Sequence, residues 1–192
     1  MSEHTWHGLL APALVLILSV LLPGCAGDSG TPPPAAVQET ASAAAFGDLE
    51  RQVATAEIER LKATYFRCLD TKDWACLETV FTPDAEAVFN VAGSGDLGTP
   101  DNPVTGGPAI AAFTRRGIEH LITIHHGHMP EIEITSPMTA TGIWAMAGII
   151  KIPDGGTVQE AWGHYHETYE RIDGRWRIKT LRLTRLRVDR PE

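Results

Sequence analysis

The sequence predicts an α+β domain in which helices pack on one face of a strongly curved, mostly antiparallel sheet. Three observations predict it. Helical periodicity and helix caps fill the first half of the folded part. Long strand-like runs separated by turn residues fill the second half, the pattern of helices gathered on one side of an antiparallel sheet. In the last run the apolar phase slips twice: Trp176 and Ile178 are even, Leu181 and Leu183 odd, Leu186 and Val188 even again. Such slips are the mark of bulges, which bend a sheet.

The 192 residues are 43% hydrophobic and 21% charged, a globular composition. Residues 9–22, LLAPALVLILSVLL, form one apolar run followed at once by PGCAGDSG. The run is short for a membrane-spanning helix and suits the apolar part of a signal peptide. The segment LLPGC resembles a bacterial lipobox, which implies that residues 1–24 are removed and that Cys25 becomes a lipidated first residue. Residues 25–45, biased to Pro, Ala, Ser and Gly, read as a flexible tether. Residues 46–192 then form one domain, large enough to bury a core. The expected location is the cell envelope, with membrane contact only through the anchor at Cys25.

The formal charge of −8 argues against a nucleic-acid partner. The arginines near the C-terminal end (Arg182, Arg185, Arg187, Arg190) read as a solvated strand face. Cys68 and Cys76 either pair in an oxidising compartment or remain buried thiols; their spacing leaves both open.

Each element has a local reason. From Phe46 to Thr71 the residues Ile58, Leu61, Tyr65 and Leu69 recur at three- and four-residue steps, an amphipathic helix. Asp73 is suited to cap a short second helix through WACLETVF, which stops before the turn signal TPD. DAEAVFNV reads as a strand and leads into a Gly-, Pro- and Asp-rich loop over residues 92–107. A loop of that length in a compact domain is usually functional or mobile. A third helix, PAIAAFTRRGIEHL, opens on Pro108, which fits a first helical turn. Four strands follow, over residues 122–134, 139–152, 157–172 and 175–188, with SP, PDGG and DG at their turns.

Candidate chemistry gathers at a few positions. Asp70 falls at the C-terminal end of the first helix, where the macrodipole disfavours a carboxylate by a few tenths to about 1 kcal/mol. The position therefore asks for a partner, and a histidine would serve while gaining a fixed tautomer. Tyr65 lies on the core-facing stripe, either as a plain buried aromatic or as a donor to a substrate oxygen. In IHHGHMPEIEI, strand alternation places His126 and His128 on one face and His125 on the other. His164 and His166 share a face in the same way. Two H-x-H pairs on neighbouring strands suit zinc or iron, and His126, His128 and Glu133 imitate a cupin metal spacing. The flanking glycines of that motif are missing, so no metal or other cofactor is assigned. The leading reading is proton transfer by His125, whose ordinary imidazole chemistry matches removal of a proton beside a carbonyl. Tolerated strand histidines with no chemistry are the bland alternative.

Two stretches carry a family resemblance. ATYFRCLDTKDWACLETVFTPDAE is similar to the opening of SnoaL-like domains in the nuclear transport factor 2-like superfamily. GHYHETYERIDGRWRIKTLRLTR resembles their closing hairpin, with Tyr169, Arg171, Gly174 and Trp176 at the expected places. The resemblance covers residues 50–188 and implies a cone, a bent sheet wrapped around helices, with an apolar cavity open at one end. In pattern it comes nearest the scytalone dehydratase and bile acid 7α-dehydratase branch, which uses a tyrosine, an aspartate five residues on, and a mid-chain histidine. Tyr65 and Asp70 stand at that spacing, and the histidine falls at His125, seven before Ile132. A second histidine from a later strand would be His166 or His164. The resemblance thus implies a cofactor-independent dehydratase or isomerase acting on an apolar cyclic carbonyl compound, in a dimer or trimer. A non-catalytic domain that binds a hydrophobic small molecule in the envelope is the alternative, since one fold hosts many functions.

Overall fold

The structure is a computed structural model that describes residues 35–90 and 97–190, with side chains from residue 47 onward. The expected signal peptide, the lipobox with Cys25 and the first part of the tether lie outside the described residues. Three helices, α1 (Ala35–Asp70), α2 (Trp74–Thr79) and α3 (Gly107–Ile118), pack against a six-stranded sheet. Its strands are β1 (Phe81–Val88), β2 (Val104–Thr105), β3 (Ile122–Ser136), β4 (Thr139–Lys151), β5 (Thr157–Ile172) and β6 (Arg175–Asp189). Their order across the sheet is β2-β1-β6-β5-β4-β3. All neighbours run antiparallel except β1 and β6, which are parallel. The chain therefore makes a β3–β6 meander and tucks its first strand beside the last.

Expected and observed elements differ mainly near their ends. α1 begins at Ala35, inside the segment read as tether. α2 ends at Thr79 and β1 begins at Phe81, so TPD is not a turn between helix and strand. Phe81 is buried and pairs with Ile178, which starts the strand early, and the register then shifts before Glu86. The Gly- and Pro-rich loop contributes a two-residue strand, Val104–Thr105, paired to β1. Among the turns, Asp173 and Gly174 both have positive φ, as a two-residue primed hairpin requires.

The phase slips in β6 correspond to two bulges. Tyr169 pairs with Ile178 and Thr168 with Thr180, which leaves Lys179 without an opposite residue. Trp162 pairs with Arg187 and Gly163 with Arg185, which leaves Leu186 extra. The second slip resolves differently from its sequence pattern. Leu186 is the bulged residue and is 76% exposed. Arg185, read as part of a solvated face, is instead half-buried and donates to the carbonyl oxygen of Phe89 at 2.6 Å.

The concave face of the sheet and the inner face of α1 enclose the core. Ile58, Leu69, Leu77, Phe81, Ile110, Ile178 and Leu181 are fully buried within it. One member of the α1 stripe is not apolar. Lys62 is 1% exposed and forms an ion pair with Glu167 of β5, itself buried. The Tyr169 hydroxyl donates to the second Glu167 oxygen at 2.6 Å, and the Trp144 indole donates to Tyr169 at 2.8 Å. The ammonium also lies 3.6 Å from the Tyr165 ring centroid, 4.3 Å from Tyr65 and 4.9 Å from Phe66. Burial, partly offset by Glu167, holds the Lys62 pKa below the usual lysine range.

Breaking such a pair from one side leaves a buried charge, whereas removing both charges does not. Lys62→Met should therefore lower unfolding free energy by about 3–5 kcal/mol. Lys62→Met combined with Glu167→Gln, which keeps an acceptor for Tyr169, should recover most of that loss in urea titrations.

Candidate active site

The last turn of α1 places Asp70 against the start of β3. That turn ends in a Schellman arrangement: the Asp73 amide donates to the Cys68 carbonyl at 2.9 Å and the Lys72 amide to Leu69 at 3.2 Å. The Asp73 side chain then accepts from the Cys76 amide at 3.0 Å and caps α2, as its sequence position predicts. Cys68 and Cys76 form a disulfide across this corner, with Cα atoms 5.7 Å apart. The helix end that carries Asp70 is thus tied by backbone bonds, a cap and a covalent link.

Asp70 makes three bonds to β3. One carboxylate oxygen accepts from the His125 backbone amide at 2.8 Å. The other lies 2.7 Å from His125 Nδ1 and accepts from the Thr123 hydroxyl at 2.9 Å. Burial, the largest single influence, pushes the Asp70 pKa up. The side-chain and backbone hydrogen bonds from His125, its charge and the Thr123 hydroxyl together outweigh it, so the net direction is down. An ionised carboxylate only accepts, so Nδ1 carries a proton, and in the neutral ring Nε2 then keeps its lone pair. The His125 and Asp70 side chains are 14% and 25% exposed, which leaves the pair within reach of solvent.

Aromatic side chains form the inner wall. Phe66 stacks on His125, with ring centroids 6.0 Å apart and planes 12° apart. Gly127 makes this possible, because a Cβ there would come within 2.5 Å of the Phe66 ring. Tyr65 and Tyr165 meet edge to face in this wall, with ring centroids 5.9 Å apart. Burial pushes both phenols above the usual tyrosine range, and both feel the Asp70 charge. They are protonated donors at any ordinary pH.

Of the four expected site residues, the structure brings Tyr65, Asp70 and His125 to one interior. It does not bring His166 there. Tyr165 and Glu167 point into the core, so His166 and His164 point out through the opposite face of β5. His166 bonds the Thr184 hydroxyl at 3.1 Å and lines an outer hollow of about 560 Å³ with Glu131, Glu133 and Arg182. His126 and His128 also lie on the outer face and are exposed. The two H-x-H pairs are not on neighbouring strands, since β4 lies between β3 and β5. Among the described residues no three His, Cys, Asp or Glu side chains converge as a metal site.

Sequence reasoning missed Thr123, Phe66, Tyr165, Lys62 and Glu167. Thr123 and Tyr165 had a legible signal, as each shares a strand face with a residue already singled out or buried. Lys62 had none, because a lysine on a helix normally marks the solvated side.

The model of the SnoaL-like domain matches residues 51–182. The chain belongs to that family. "Probable cyclase FGR4" of Gibberella zeae is 30% identical to this SnoaL-like domain protein over 141 residues, 69% of this chain and 91% of the relative. The structure named "Putative Scytalone Dehydratase", from Novosphingobium aromaticivorans, superposes with a TM-score of 0.64 at 22% identity. It covers 74% of this chain and 91% of its own. Hexachlorocyclohexane dehydrochlorinase LinA type 2 superposes with a TM-score of 0.62 at 20% identity, covering 76% of this chain and 93% of its own. These two structural likenesses show the same fold, a curved unclosed sheet with helices.

The lowered Asp70 pKa has a pH consequence whose sign is fixed. A carboxyl depressed in the folded state contributes stability above its unfolded value of about 3.9, and that stability is lost as pH falls through the folded value. Wild-type melting temperature should fall as pH drops below about 4. Asp84, also lowered, by its bonds to Lys179 and Thr82, adds to this fall. Asp70→Asn should make the fall shallower in calorimetric scans, and an unchanged slope would mean that the His125 contacts do not hold the carboxylate.

Proposed function

We propose that this SnoaL-like protein is a cofactor-independent dehydratase or isomerase, with His125 as the base, acting on an apolar cyclic carbonyl compound. The observation that carries the reading is the double engagement of His125 by Asp70, through both Nδ1 and the backbone amide. It fixes the ring, selects the tautomer and leaves Nε2 as a proton acceptor. Gly148, opposite on β4, leaves that edge uncrowded; a Cβ there would stand 3.8 Å from Nε2.

In this mechanism Nε2 takes the proton α to the carbonyl, and Asp70 steadies the imidazolium. The electron pair moves toward the carbonyl oxygen, which receives a hydrogen bond from a phenol of the inner wall, Tyr65 or its neighbour Tyr165. As the C=C bond forms, the β-hydroxyl leaves and takes the proton back from His125 as water, so the base is restored. Isomerisation differs only in returning the proton to another carbon. Proton return by His125 itself replaces the role first expected of His166.

Solvent-deuterium exchange into 1-tetralone, followed by NMR, tests this reading. The wild type should exchange α-protons, and His125→Gln should slow the exchange by about 10²–10⁴-fold. Retention of the rate in that variant would remove the base. Binding of the ketone without exchange would make the domain a carrier.

The same proposal includes export and anchoring at Cys25. Cys25→Ser should move the protein from the membrane fraction to the soluble one; unchanged fractionation would exclude the lipid anchor.

A further inference from the structure

Lys72 occupies a backbone position that ordinarily belongs to glycine. It is the residue that closes the Schellman turn, with φ of 60°. A side chain in this left-handed conformation is strained compared with glycine. The lysine side chain is not idle there. Its Nζ donates to the Thr123 hydroxyl at 2.7 Å, and that hydroxyl donates to the Asp70 oxygen that faces His125 Nδ1. Thr123 is buried at 3% exposure, so its hydroxyl has two orientations to choose between and a cation that decides between them.

We propose that Lys72 is a positioning residue of the acid–base pair, acting through Thr123. By donating to Thr123 Oγ1 it commits the hydroxyl proton to Asp70, because an oxygen already accepting from an ammonium turns its own hydrogen toward the carboxylate. Asp70 then keeps one orientation toward His125 although it stands at the unfavourable end of a helix. The ammonium also supplies positive charge close to the helix C-terminus, where the macrodipole and Asp70 both concentrate negative charge. The strained backbone is the local disadvantage offset by this placement. A glycine would relieve the turn and lose the relay. This inference rests on His125 and Asp70 acting as proposed above, but its own test does not depend on turnover.

The test compares Lys72→Gly, Lys72→Arg and Thr123→Val in the full chain. The first readout is the downfield imidazole Nδ1 proton of His125, assigned by its loss in His125→Gln. In Lys72→Gly and Thr123→Val this proton should exchange with solvent about tenfold faster, the equivalent of one hydrogen bond lost from the relay. Lys72→Arg should restore much of the protection. The second readout is thermal melting, in which Lys72→Gly should match or exceed the wild type because the turn is relieved. The third is 1-tetralone exchange, where the maximal rate should fall about tenfold while the half-saturating ketone concentration stays within about twofold. A stable Lys72→Gly protein whose Nδ1 proton is as protected as in the wild type overturns the proposal, whatever the ketone does. Absence of ketone exchange in the wild type, with the Nδ1 effect present, overturns the catalytic reading and leaves the relay standing.

Discussion

The ion pair between Lys62 and Glu167 is the constraint on which the interior depends. It joins α1 to β5 in a space that neither side chain can leave without exposing a charge to a nonpolar environment. Glu167 also accepts from Tyr169, so the pair is locked to a strand that forms the floor of the cone. The other protons of the ammonium face aromatic rings rather than water. Two of those rings, Tyr65 and Tyr165, carry the phenol hydroxyls of the candidate site, and the third, Phe66, backs His125. The same charge that fixes the helix on the sheet thereby orders the wall against which a ligand would rest.

Asp70 shows how a locally unfavourable residue becomes useful. On helix electrostatics alone a carboxylate at a C-terminus is misplaced. Its surroundings compensate it with an imidazole, a backbone amide and a hydroxyl, all from β3. The disulfide, the Schellman turn and the Asp73 cap hold that helix end in place on the other side. A site assembled across a helix end and a strand start needs both supports, because neither element alone defines the distance between them.

Much of this was legible beforehand where a residue's role follows from its neighbours in sequence. Periodicity identified α1 and the four long strands, and the phase slip of Leu181 and Leu183 located a bulge. The pairing of Asp70 with a histidine followed from the helix end, and strand alternation separated His125 from His126 and His128. What escaped was set by contacts between distant segments. Nothing local distinguishes Lys62 from a solvent-facing lysine, since its partner is on β5. The second slip was visible too, but spacing alone did not show that Leu186 is itself the extra, exposed residue of the bulge. His166 was carried over from a resemblance, yet alternation with Tyr165 and Tyr169 already put it on the other face. Parallel pairing of β1 with β6 likewise depends on where a connection returns, which local pattern does not encode.

The bulge in β3 has a meaning for the molecule's behaviour among its neighbours in solution. β3 is an end strand of the sheet, fifteen residues long, and one of its borders lacks a strand partner among the described residues. A straight strand of that length would be a template for another chain to add to, the first step toward fibrous assembly. Met129 interrupts it with φ of 47°, Pro130 removes an amide donor, and Glu131 and Glu133 place like charges just beyond. Any chain that began to pair along this border would lose register at the kink and meet repulsion from an identical copy. The irregularity that separates the histidines from the following Glu–Ile alternation thus acts as a safeguard against self-templated growth.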